Sequence, residues 1–149
     1  VINMTPEIKA MWQKVLVHQL QGVMFHQEVS LIYKMFGDCS HEARRHYKQY
    51  INETLNHYQT LEKIIWEYGE IIKPVPANVT PIKIFEPELS VKPLERAERM
   101  KDMQVINSKW KAWETATAKL YEEAMSVIPN CGWLKLLKCG AEKELKDIH

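Results

Sequence analysis

Apolar residues recur along this chain at three- and four-residue steps, the spacing that lines one face of an α-helix. Ile8, Trp12, Val15, Gln19, Gly22, His26, Val29, Tyr33 and Phe36 make the first such row and predict a helix over 5–36. Thr5-Pro6-Glu7 opens it with a hydroxyl cap, a proline where no amide donor is needed, and an acid at the positive end of the dipole. Gly37 ends it, and Asp38 or Ser40 can cap a second helix over 40–72. The expected buried side of that helix is Ala43, Tyr47, Tyr50, Leu61, Ile64, Ile65 and Tyr68. A third helix, over 93–128, carries the most regular row: Met103, Ile106, Trp110, Trp113, Thr117, Leu120, Ala124 and Val127. Pro129 and Asn130 stop it and cap a fourth, over 131–148. There Trp133, Leu134, Leu137, Ala141, Leu145 and Ile148 oppose Lys135, Lys138, Lys143 and Lys146. No internal repeat is present, and the only strand-like run is the short VTPIKIF.

The short links make helices one and two, and helices three and four, antiparallel neighbours. Between the pairs, residues 73–93 hold five of the seven prolines, so a helix is not expected over the 73–92 crossover, while Ile82, Ile84 and Phe85 are expected to pack on the body. A connection this long without structure of its own needs a reason. About 19 extended residues at roughly 3.3 Å each reach about 60 Å. The second helix rises about 50 Å at roughly 1.5 Å per residue. The segment can therefore cross the whole length of a bundle.

With 149 residues, a single domain spanning 1–149 is expected, large enough for its own core. Lys plus Arg (20) almost cancels Asp plus Glu (19), which gives no basic field for nucleic acid. Cys39, Cys131 and Cys139 are odd in number and lack metal-knuckle or redox spacing, so reduced thiols in a cytoplasmic protein are expected. The stretch before Trp12 lacks the pattern of an export signal, so none is expected, and no apolar run is long enough to span a membrane. Cys39 and His41 lack an orienting base, and the few glycines form no phosphate loop, so no catalytic residue and no organic cofactor are expected.

Four helices with a full-length crossover between the second and third resemble the ferritin-like all-α four-helix bundle. Di-iron members of that superfamily take one Glu from each of two helices and a Glu-x-x-His pair from each of the others. The resemblance points to Glu53-Thr54-Leu55-Asn56-His57, where the acid and imidazole are four residues apart, a spacing that still shares a helix face. Helix four offers Glu142, Glu144 and Asp147, but its only histidine is the terminal His149. Folding helices one and two back on each other sets His26 opposite Ile51 to Glu53. His26, Glu53 and His57 are thus the candidate ligands, with Glu28 and Glu114 as bridging acids by analogy, for iron or zinc. Tryptophans are expected at the matching level of helix three. The competing account is structural: histidines at a core margin, hydrogen-bonded to tyrosines and backbone.

The leading expectation is a non-catalytic bundle that binds another protein or forms a homo-oligomer such as a dimer, and retains a degenerate ferritin-like site. The alternative is a metal-binding member of the class, with oxidase activity if coordination positions stay open. Arg44, Arg45 and Lys48 among Tyr47 and Tyr50 are read as a solvated helix face. Trp66, in the polar row Glu62-Trp66-Glu70, is the tryptophan expected outside the core.

Overall fold

The computed structural model describes residues 4–35, 40–67, 79–82, 96–129 and 132–148, and the regular structure among them is entirely helical. Four helices are formed among the described residues: α1 (Pro6–Met35), α2 from Ser40 to Glu67, α3 (Arg96–Val127) and α4 (Gly132–Asp147). The expected cap is present, with the Ile8 amide donating to Thr5 Oγ1 at 3.2 Å. The helix α2 is continuous but not uniform: Ser40–Ile51 and Gln59–Glu67 are α-helical, and Asn52–Tyr58 between them is π-helical. Its expected extension over 68–72, the first residues of the expected third helix at 93–95, and most of the 73–92 crossover lie outside the described residues. Residues 79–82 adopt no regular structure, Val79 is buried, and Thr80 accepts a 2.7 Å hydrogen bond from Gln21 of α1. No helix among the described residues is long and apolar enough to cross a membrane.

Contacts fix the helix directions. Gln19 and His26 of α1 meet Glu53 and His46 of α2, so these two helices are antiparallel. Lys14, His18 and Gly22 meet Glu123, Thr117 and Trp113 of α3, which is also antiparallel to α1. The close pairs are α1 with α2, α1 with α3, and α3 with α4, whereas α2 and α4 stand further apart.

The row expected on α1 is buried from Ile8 to Tyr33, and Ile106, Trp110, Trp113, Thr117 and Ala124 of α3 are buried as expected. Two aromatic placements differ. Tyr47 is exposed because His46, one position earlier, takes the inward place on α2. Trp133 is also exposed, since the buried stripe of α4 centres on Leu134, Leu137 and Ala141 and leaves the first-turn indole at its edge. Trp66 is outside the core, as expected.

The buried apolar residues fall into two clusters. One, around Trp12, Leu16, Leu61, Ile65 and Leu134, fills the end of the bundle where α1 begins. The other, around Phe25, Val29, Tyr33, Ala43 and Trp110, fills the end where α1 finishes. Between them lie the buried polar residues Gln19, Glu53, Glu114 and Thr117, while the buried His26 and His46 pack on Phe25, Tyr33 and Trp110 of the second cluster. A polar layer inside a core is costly unless its groups are satisfied, which makes its composition informative.

Trp113 reaches this layer over Gly22, where any β-carbon would overlap the indole ring. Gly22→Ala is therefore expected to destabilise the fold by about 1–3 kcal/mol through overpacking. Gly140→Ala, whose added methyl meets nothing within 4 Å, should be neutral or slightly stabilising. Chemical denaturation followed by tryptophan fluorescence checks both, and equal effects at the two positions would contradict the packing described.

Candidate metal site

The π-helical stretch sets the local geometry. The Gln59 amide donates to the carbonyl of Thr54, five residues back, where an α-helix would use the fourth. Thr54 Oγ1 donates to the Tyr50 carbonyl at 2.7 Å, and Asn56 donates to Asn52 Oδ1 at 2.8 Å, so the polar side chains of the segment bond along it. Such segments are uncommon and recur at functional sites. This one holds Glu53 and His57, with Nδ1 of the imidazole 2.8 Å from Glu53 Oε2. A carboxylate cannot donate, so Nδ1 carries the hydrogen and Nε2 is left with the ring's free lone pair whenever the imidazole is neutral.

Glu53 Oε2 receives a second hydrogen bond, from Gln19 Nε2 of α1 at 2.8 Å. The carboxylate is 4% exposed and takes both donors on one oxygen. Glu114 of α3 is 1% exposed, and its Oε1 accepts a 3.3 Å bond from the Trp110 indole. Burial foremost, and then the charge of Glu53, pushes the Glu114 carboxyl up to about 9 against the weaker pull of that bond, with Glu144 adding to the rise. Near neutral pH Glu114 accordingly holds a proton. Gln19, Glu53, His57, Glu114 and Glu144 line one cavity of about 90 Å3 at the loose α2–α4 side, together with Thr117, Tyr121, Gln49, Asn52, Leu137, Gly140 and Ala141. The Tyr121 hydroxyl, buried on this cavity, has no hydrogen-bond partner. Burial, followed by the Glu53 and Glu114 charges, raises its ionisation well above the usual range, so it remains a phenol.

Of the residues singled out from sequence, Glu53, His57 and Glu114 share this cavity. His26 does not. It faces His46, Nδ1 to Nδ1 at 3.0 Å, one imidazole donating and the other accepting. His46 stands five to seven residues nearer the turn than Ile51 to Glu53, so the two helices pair about one and a half turns away from the expected level. Phe25, Trp110 and Trp113 surround His26, while Tyr33 stacks on His46. The Nε2 atoms of both rings are buried without a partner. Glu28 lies on the exposed side of α1, away from the cavity. The tryptophans expected at the cavity's level are there, but they flank Glu114 and do not replace it.

Gln19, Glu144 and Tyr121 complete the cavity. A search for acids and imidazoles passes over Gln19, although its place in the α1 row was visible. Glu144 follows from the α4 stripe only once the register of α2 against α4 is known. Basic residues nearby have other work: Arg45 covers the Trp110 ring at 4.8 Å and donates to the Asp147 carbonyl at 2.9 Å. His18 stacks on Trp113 with ring centroids 4.7 Å apart and bonds to Thr117 Oγ1 at 2.6 Å. As the side chains lie, no group of three or more His, Cys, Asp or Glu among the described residues is gathered into a ligand shell.

Stability should depend on pH in both directions. Burial lowers His18 to about 4, His46 to about 3 and His26 well below its usual value of 6.5. Below about pH 6.5 the unfolded chain binds more protons at these sites than the native one, so their contribution, complete above that pH, is lost on acidification. Glu114 behaves oppositely: its contribution is complete below about 4.5 and is lost as pH rises toward 9. In the presence of chelator, the melting temperature is expected to peak near neutrality. Glu114→Gln should flatten the decline between pH 7 and 9, and an unchanged decline would contradict the assignment.

No family model, no curated protein and no solved structure matches this chain, so the site stands on its own geometry.

Proposed function

We propose that this protein binds a divalent metal ion in the mid-bundle cavity, with Glu53, Glu114 and His57 as ligands and Glu144 completing the acidic lining. One observation carries the proposal. Carboxylates from three helices and an imidazole line a single cavity that also holds a partnerless buried hydroxyl, Tyr121. Oxygen donors with one imidazole suit iron, manganese or zinc in the divalent state. The donor set fits such an ion chemically. Closing around it requires the Glu53–His57 pair to loosen and Glu114 to release its proton. A bound ion would supply positive charge to the two buried carboxylates and Lewis acidity to any open position.

The same reading includes a ferritin-like architecture with residues 73–92 crossing the length of the bundle. Its support is that α2 and α3 both run antiparallel to α1, and that Thr80 is held against Gln21 midway along α1.

The protein-binding reading retains one specific support. Leu31, Tyr47, Ile51 and Leu55 on the α1–α2 side, and Trp133 and Leu136 on α4, are exposed, Leu136 at 63%. Exposed apolar side chains in such number are the raw material of a partner surface.

Elemental analysis after incubation with Mn(II) or Zn(II) and removal of free ion tests the metal proposal. Near-stoichiometric metal is expected, with a raised melting temperature because the ion binds only the folded state. Glu53→Gln and His57→Ala should each lose most of the metal while remaining helical. Equal metal in wild type and both variants would refute the site, and no metal in any of them would refute the function.

A further inference from the structure

We propose that Gln19 limits the mid-bundle cavity to one divalent ion, by withholding the negative charge a second ion would need and by holding one Glu53 oxygen on its amide. This rests on the cation-binding reading above. Glu53, Glu114 and Glu144 bring at most three negative charges to the cavity, and His57, Gln19 and Tyr121 bring none when neutral. One divalent ion leaves that set at −1, whereas two would leave it at +1. The two residual charges are equal in size, but the second state also places two dications within one small cavity, where their mutual repulsion is weakly screened and no fourth carboxylate offsets it.

Geometry adds a second constraint. Gln19 Nε2 donates to Glu53 Oε2 at 2.8 Å, and His57 Nδ1 shares that oxygen at the same distance. Of the four oxygens on the two buried acids, Glu53 Oε2 is thus held in part by an amide nitrogen, which has no lone pair to offer a metal. An amide has the shape of a carboxylate and differs in charge and in carrying hydrogens. The identity of residue 19 is therefore a choice of charge at nearly constant volume. Gln19 is 1% exposed, so water cannot compensate for whichever charge is present.

Gln19→Glu supplies the fourth negative charge in place and removes the donor to Glu53. The variant is expected to bind two Mn(II) or Zn(II) ions per chain where the wild type binds one. Its metal-free form should melt at a lower temperature than the wild type, and saturating metal should restore it. Gln19→Met, which removes the hydrogen bond without adding charge, should still bind one ion, about 10–100-fold more weakly. The readout is stoichiometry by equilibrium dialysis with elemental analysis, on samples shown to be folded by circular dichroism. Two ions in the wild type would overturn the inference, and so would a folded Gln19→Glu protein that stops at one; in either case the cation reading survives. Wild type and Gln19→Glu protein that both bind none would overturn the cation reading and the inference together. If Gln19→Glu does not fold even with metal present, Gln19→Met decides, weakened binding of a single ion supporting the inference and unchanged affinity or a second ion refuting it.

Discussion

The centre of the bundle is organised by a single buried oxygen, Oε2 of Glu53, which accepts from Gln19 on α1 and from His57 on its own helix. A carboxylate at this depth must be compensated, and two hydrogen bonds to one oxygen do so only in part. Other features of the layer follow from that charge. It helps hold a proton on Glu114 and keeps Tyr121 a phenol. With Glu53 at its wall, the adjoining space becomes an acidic cavity and not a continuation of the apolar core. The π-helical segment of α2 carries both Glu53 and the His57 that bonds to it.

Stability and function pull against each other in this layer. Two apolar clusters on either side supply the burial that holds the helices together. The layer between them contains acids, imidazoles and a hydroxyl in a volume that leucines could fill more favourably. Beside it, His18 stacks on Trp113 and bonds to Thr117, and Arg45 covers Trp110, on the side against α3. The cavity lies instead on the α2–α4 side, where the helices are less closely packed and Gly140 and Ala141 leave room. A cation there would relieve the repulsion between Glu53 and Glu114 that the metal-free fold handles with a proton. That relief is the physical content of the proposed function.

The helical class and the α1 and α3 rows were legible because both helices bury a wide stripe of regular spacing. The inner face of α2 was only partly legible. His46 and Glu53 occupy inward positions, so a search for apolar periodicity turned the helix toward Tyr47. Nor does the sequence announce a π segment, which changes the pitch within seven residues. Glu53, His57 and Glu114 could be found by residue type and spacing. His26 was misplaced because its level depended on an assumed turn geometry, and the pairing it makes with His46 runs between two rings that no ligand motif describes. Glu28 drew attention as an acid among apolar neighbours, yet the α1 residue facing the cavity is an amide. Residue type alone finds the charged half of a hydrogen-bonded pair and misses its neutral partner.

The most direct test of the account is anomalous diffraction from crystals of the wild-type protein grown or soaked with Mn(II) or Zn(II). The account predicts one strong anomalous peak per chain, bounded by Glu53, Glu114 and His57, that disappears in Glu53→Gln crystals prepared in the same way. Peaks confined to surface carboxylates, or a mid-bundle peak unaffected by Glu53→Gln, would contradict it.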